Sequence, residues 1–184
     1  LFFFRRKKIN KSLFSVHYDY NYIKKRNQLF LFPIFLFFDK IIFCSKSSRD
    51  SFPKYYLSMI KNKFEIIYNG VDLKKIKKKK SRPLKEKFKL ITLSRIDNNK
   101  NIIKVVKAMH DLRDVSFTLM IVGDGPLKDE LEKTVKLLKL DKQVMFYGLV
   151  SREKAIRLLQ EANLFISMSR TEAHSIAVLE ALAT

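Results

Sequence analysis

Arg95 and Lys100 stand five residues apart, directly after the β-rich run KLITLS. A guanidinium fork, an ammonium point charge and a nearby helix N-terminus together make a site for a diphosphate. The turn Gly123-Asp124-Gly125-Pro126 follows the next apolar run, FTLMIV. Glycine there lets backbone approach a ligand, and it also simply makes turns. A second group, SRTEAHSIAVLEA at 169–181, carries Glu172 and Glu180 around the expected start of an apolar helix. Ser169 to Glu172 fits the S/T-x-x-E capping box, so helix capping alone accounts for the first acid. Capping and ligand binding can coexist at such a position.

Other chemistries find less support. G-x-G-x-x-G requires glycine at 128, where Lys128 stands, and no G-x-x-x-x-G-K-[ST] occurs. His17, His110 and His174 are scattered, with no acidic cluster beside them, so no metal is expected. His110 reads as a surface residue. Cys44 is the one cysteine; it lies in the apolar run IIFC and reads as inert core, with no internal disulfide.

Elements that could position these groups alternate regularly from residue 88. KLITLS, FTLMIV, QVMFYG and LFISMS read as strands at 89–94, 117–122, 143–148 and 164–169. Between them, Ile102, Val105, Val106 and Met109 form one helical stripe, and Leu127, Leu131, Val135 and Leu138 another. Ser151 caps a third helix, and a fourth starts near His174. Strand–helix alternation with short connections predicts βαβ units and a parallel sheet. Ligands in such sheets bind where the strands end, and there the candidates gather. Earlier in the chain, SLFSVH (12–17) and KIIFCS (40–45) read as strands, with a helix over 24–38 between them, and FEIIYNGVD (64–72) reads as a strand ending in the turn Asn69-Gly70. The run LFLFPIFLFF (29–38) is roughly half the ~20 residues needed to cross a bilayer and reads as a buried or surface-seeking helix. The opening LFFFRRKK is too short to classify.

Three segments follow: residues 1–72 as one α/β block, 73–87 as a basic linker containing Pro83, and 88–184 as a second α/β block. Charge is uneven. Residues 1–90 hold 24 Lys/Arg against 6 acids, and residues 91–184 hold 14 against 12. A basic half suggests an anionic partner, or a composition biased toward Lys, Ile, Asn and Phe. Base-reading motifs and interleaved aromatics are missing, which argues against nucleic acid.

The succession IIYNGVD, LSRIDNNK, IVGDGPL, VMFYGLV and SRTEAHSIAVLEALA resembles the family 4 (group 1) glycosyltransferases. The resemblance implies a GT-B fold, two Rossmann-like parallel-sheet domains, here cut at both ends so that each is partly present. It makes 1–72 the end of the acceptor-side domain and 88–184 the nucleotide-sugar domain. Glu172 and Glu180 match the family's E-x7-E signature. The family pattern then gives Arg95 and Lys100 the donor diphosphate, Glu172 the donor-sugar hydroxyls and Glu180 the ribose. Gly123 and Gly125 fall in the donor loops, His174, Ser175 and Ile176 match the helix start facing sugar and phosphate, and Val150 matches the backbone that reads the base. FSVH places His17 as the acceptor-side histidine near the reacting carbon, and DKIIFCSKS matches the strand before the hinge. Ala173 and Ser175 replace glycines, His174 replaces an aromatic, and Ser94 replaces the glycine before Arg95. Eight helical steps at 1.5 Å would put the two acids about 12 Å apart, enough to grip hexose and ribose.

What the resemblance implies is a retaining transferase moving a sugar from a nucleotide-sugar donor to a glycan or lipid-linked acceptor, without metal or other cofactor. The setting is cell-envelope polysaccharide or glycolipid synthesis in the cytoplasm, peripheral on the inner face of an anionic membrane. A GT-B nucleotide-sugar epimerase and a basic nucleic-acid-binding domain are the alternatives, and the fragment itself could be inert.

Overall fold

The computed structural model describes residues 11–76, 87–112 and 114–184. The opening LFFFRRKK and most of the expected linker therefore lie outside the described residues. The chain divides into two compact units: one runs to Asn69 and takes in Glu172–His174, and the other holds Gly70–Thr171 and Ser175–Thr184.

Among the described residues, the first unit has a three-stranded parallel sheet in the order β1-β2-β3, with β1 at Leu13–Val16, β2 at Lys40–Phe43 and β3 at Phe64–Ile66. Between β1 and β2 lie α1, Lys25–Gln28, and α2, Leu31–Phe37; α3, Lys46–Asp50, and α4, Lys54–Met59, precede β3. Phe52 is the centre of an aromatic cluster, edge-on to the Tyr20 ring at 5.2 Å and to Phe43 at 5.3 Å and tilted against Phe35 at 5.7 Å. Offset and edge-to-face rings add attraction beyond the area they bury.

Two expectations change here, and two helices appear where none was read. The single helix over 24–38 is broken, because Pro33 has no N–H for the Leu29 carbonyl and its ring clashes there. The proline is tolerated only in the first turn of α2. β3 stops at Ile66, so most of IIYNGVD is loop. Finally, α3 and α4 occupy a stretch with no readable periodicity.

The second unit carries a four-stranded parallel sheet, among the described residues in the order β6-β5-β4-β7. Its strands are β4, Phe88–Leu93; β5, Phe117–Val122; β6, Val144–Gly148; and β7, Leu164–Phe165. Helices α5, Ile102–His110, and α6, Lys128–Leu137, belong to one face, and α7, Arg152–Glu161, and α8, Ile176–Ala183, to the other. β5 explains its own unbroken apolar sequence. Phe117, Leu119 and Ile121 enter the α5–α6 core, while Met120 and Val122 enter the core shared with Leu158 and Leu159 of α7. Strands covered on both faces have no polar alternation.

LFISMS was expected to be a strand throughout, yet β7 holds two residues. Ile166 still donates to the Ile91 carbonyl at 2.8 Å, and then the polar Ser167-Met168-Ser169 leaves the ladder. α8 likewise starts at Ile176, with Ser175 at its N-cap making no side-chain cap bond. Ser169 to Glu172 therefore precede the helix and do not form its capping box. The 12 Å estimate also fails as stated, because only Ile176 onward is helical.

Candidate functional site

In the second unit the strand order reverses direction between β4 and β7, the position where open parallel sheets bind ligands. The loop after β4 is built by one carboxylate. Asp97 Oδ1 accepts from the backbone N–H of Asn99 and of Lys100, each at 3.0 Å, while Oδ2 lies 3.7 Å from Arg95 Nε. Asp makes such local turns because its short side chain reaches the backbone two or three residues on. Asn101 then adopts φ 57°, a left-handed conformation Asn tolerates better than most residues, and α5 begins. Arg95 projects outward with its side chain 70% exposed; Lys100 is half-buried.

Across from this loop runs the turn after β5. Ser94 N–H donates to the Val122 carbonyl at 3.0 Å and Ile96 N–H to the Asp124 carbonyl at 2.9 Å. A Cβ on Gly123, whose φ is +136°, would sit 1.9 Å from the Ser94 carbonyl oxygen, and one on Gly125 would sit 2.3 Å from that of Ile96. Glycine is thus required here for the two loops to touch. Their junction borders an open hollow of about 700 Å³, lined by Ser94, Arg95, Gly123, Asp124, Gly125 and Leu149 among others.

On the β7 side, Arg170 N–H donates to the Asn99 carbonyl at 2.8 Å, and Asn99 Nδ2 donates to the Thr171 carbonyl at 3.1 Å. Asn99 thereby ties the two loops at the switch point. Its Oδ1 is buried without a hydrogen-bond partner among the described residues. Beyond this tie, Ser175 and Ile176 open α8, whose first N–H groups have no intrahelical acceptor. Glu180, on the same helix, is buried and accepts from Arg152 Nε at 3.0 Å. Val150 is half-buried just ahead of α7, whose N-cap Ser151 accepts from Lys154 N–H at 3.3 Å.

Arg95, Gly123 and Gly125 therefore share one hollow, and Lys100, Val150, Ser175, Ile176 and Glu180 belong to the same unit. His17, Glu172 and His174 are counted with the other unit. There His17 is exposed past the end of β1, with Nε2 3.0 Å from Ser15 Oγ. The His174 carbonyl accepts from Asn69 Nδ2 at 2.9 Å, and its ring lies 5.3 Å from that of Tyr68. Glu172 is exposed. Three residues of this neighbourhood escaped the sequence reading: Asp97, Asn99 and Arg152. The D-N-N-K run carries a turn signal that points to the first, but nothing local connects Arg152 with an acid 28 residues away.

Comparison with known proteins adds four findings. Residues 74–184 match the family model described as glycosyl transferases group 1. Alpha-monoglucosyldiacylglycerol synthase of Streptococcus pneumoniae is 29% identical over 160 residues, 79% of this chain and 36% of that protein. The Campylobacter jejuni N-acetylgalactosamine-N,N'-diacetylbacillosaminyl-diphospho-undecaprenol 4-alpha-N-acetylgalactosaminyltransferase is 32% identical over 128 residues, 68% of this chain and 34% of that protein. Among solved structures, Anabaena HepE in complex with UDP and glucose gives a TM-score of 0.76 at 19% identity, over 93% of this chain and 50% of that one. The chain thus spans about a third of those two relatives and half of that structure.

Proposed function

The chain belongs to the group 1 glycosyl transferases, of GT-B fold, and on that premise we propose that its protein is a retaining glycosyltransferase using a nucleotide-sugar donor. Its acceptor is a glycan or lipid-linked acceptor of cell-envelope polysaccharide or glycolipid synthesis. The observation that carries the reading is Arg95 standing over a hollow floored by glycine backbone, in the unit that also holds the free N–H groups of α8.

As the bond from the anomeric carbon to the diphosphate oxygen breaks, negative charge grows on the leaving group. Arg95, Lys100 and the α8 N-terminus stabilise it in place, without a metal ion. Glu172 takes the sugar hydroxyls, Glu180 the ribose and the backbone at Val150 the base edge, while His17 orients the sugar near the reacting carbon. Of the relatives named above, one makes a monoglucosyldiacylglycerol and the other acts on a diphospho-undecaprenol-linked sugar, which supports a lipid-linked acceptor. We place the enzyme in the cytoplasm, peripheral on an acidic inner membrane face, from the excess of cations in residues 1–90.

Arg95→Ala in the full-length protein tests the chemistry. Removing one donor from such a site costs on the order of a hundredfold in turnover. Turnover within about threefold of wild type, under saturating donor, overturns the assignment.

A further inference from the structure

Within the second unit, Asn99 is fixed on its backbone and on its side chain at once. Its N–H donates to Asp97 Oδ1 at 3.0 Å, its carbonyl accepts from Arg170 N–H at 2.8 Å, and its Nδ2 donates to the Thr171 carbonyl at 3.1 Å. The turn after β4 is complete without that side chain, because Asp97 already accepts from both Asn99 and Lys100. The amide is therefore spent on a segment 72 residues away. Its orientation is set there too. Turning it over to seek a partner for the buried Oδ1, which has none among the described residues, would set oxygen against oxygen at Thr171.

The segment it holds has left regular structure. β7 ends at Phe165, the last ladder bond comes from Ile166, and α8 begins at Ile176. Asn99 meets this stretch at two consecutive residues, and the second of them, Thr171, is joined to Glu172, to which the reading above gives the sugar hydroxyls. On its other side Asn99 is joined to Lys100, and Asp97, which holds its N–H, lies 3.7 Å from Arg95 Nε through Oδ2. One residue thus stands between the two cations given to the diphosphate and the chain that enters Glu172.

We propose that Asn99 is a positioning residue coupling the two. A diphosphate held by Arg95 and Lys100 steadies the Asp97–Asn99 turn, and Asn99 passes that order to Arg170 and Thr171, setting the approach to Glu172. This deepens the donor reading above and rests on it. Coupling of this kind is a free energy shared between two places, and it registers as protection against local opening at the place the ligand does not touch.

The test is amide hydrogen exchange of the full-length protein, read by mass spectrometry over residues 94–101 and 167–172, with and without saturating inorganic pyrophosphate. Pyrophosphate carries neither base nor sugar, so a response at 167–172 originates at the diphosphate end. In wild type it should slow exchange at both places, about fivefold at 167–172, with α6 unchanged. Asn99→Leu removes the amide at similar volume and no change of charge. Pyrophosphate should still slow exchange at 94–101, while the response at 167–172 is lost. A merely structural Asn99 would instead raise exchange at 167–172 equally with and without pyrophosphate. Should Asn99→Leu misfold, Asn99→Asp serves in its place, since it turns Nδ2 into an oxygen facing the Thr171 carbonyl, and the same loss is expected. No slowing at 94–101 in wild type overturns the diphosphate site and the coupling with it. Slowing at 94–101 with none at 167–172, or an undiminished response at 167–172 in a folded Asn99 variant, overturns the coupling and leaves the site standing.

Discussion

Gly125→Ala tests whether the loop carrying Arg95 is held by direct backbone contact. The added Cβ would meet the Ile96 oxygen at 2.3 Å, and its carbonyl carbon and nitrogen each at 2.8 Å. All three are backbone atoms, so no rotamer change relieves the contact. Restoring an ordinary separation requires the loops to part by about 1 Å. Ile96 is fully buried, and two hydrogen bonds cross this junction: Ile96 N–H to Asp124 at 2.9 Å and Leu127 N–H to Ile96 at 3.2 Å. Overpacking of this kind costs about 1–3 kcal/mol, and weakening the two bonds adds roughly 1 kcal/mol. For a unit of about a hundred residues, 2–4 kcal/mol lowers the melting temperature by roughly 10–20 °C.

Gly123→Ala should be worse. Its Cβ comes within 1.9 Å of Ser94, and φ +136° adds about 1–3 kcal/mol of backbone strain for any other residue. Gly70→Ala is the control, since nothing lies within 4 Å of its Cβ. Thermal unfolding followed by circular dichroism ranks the three. Titration with the nucleoside diphosphate of the proposed donor, well below the transition, should show weaker binding for Gly125→Ala, because the displaced loop carries Arg95. Should Gly125→Ala melt within about 2 °C of Gly70→Ala, the contact does not hold the loop and the argument fails.

The Asp97 turn separates charge from geometry. Asp97→Asn keeps an acceptor for the Asn99 and Lys100 N–H groups, so it should melt near wild type and bind the nucleoside diphosphate of the proposed donor more tightly, with one negative charge fewer beside Arg95. Asp97→Ala should lose about 1–2 kcal/mol in urea unfolding and bind that diphosphate more weakly. Arg152→Ala leaves the Glu180 carboxylate buried without its guanidinium; with Arg152 58% exposed, the cost should be about 1–2 kcal/mol, largely recovered by adding Glu180→Gln. Ser45→Ala removes the cap that accepts from Ser48 N–H at 3.0 Å and should cost about 1 kcal/mol. Burial raises the Cys44 thiol above its ordinary pKa, so Ellman's reagent should react with it near neutral pH only after unfolding.

What was readable in the chain follows from how local each cause is. The second unit was legible because β5 and α5 each contact their surroundings in a repeating way: two covered faces for one, one buried stripe of Ile102, Val105, Val106 and Met109 for the other. The first unit was harder because its helices are too short for a period to show. α3 and α4 have five and six residues, and only Ser45 and Pro53 ahead of them carry a start signal. Pro33 could have revealed the break between α1 and α2, since its effect reaches back four residues and no farther. The site divides in the same way. Arg95 and Lys100 could be named as candidates because a loop position after a strand is a local property, and Asp97 could have been, because its bonds close within three residues. Arg152 could not. Its bond to Glu180 joins the start of α7 to the middle of α8 across 28 residues, so it exists only once the sheet face has brought those helices together. The spacing of Glu172 and Glu180 misled for the opposite reason: eight residues is a helical distance only when all eight are helical, and here the helix supplies the last five. Motif spacing therefore picks out the acids as candidates, while the non-helical course of Glu172 to Ser175 lies beyond what spacing alone can read.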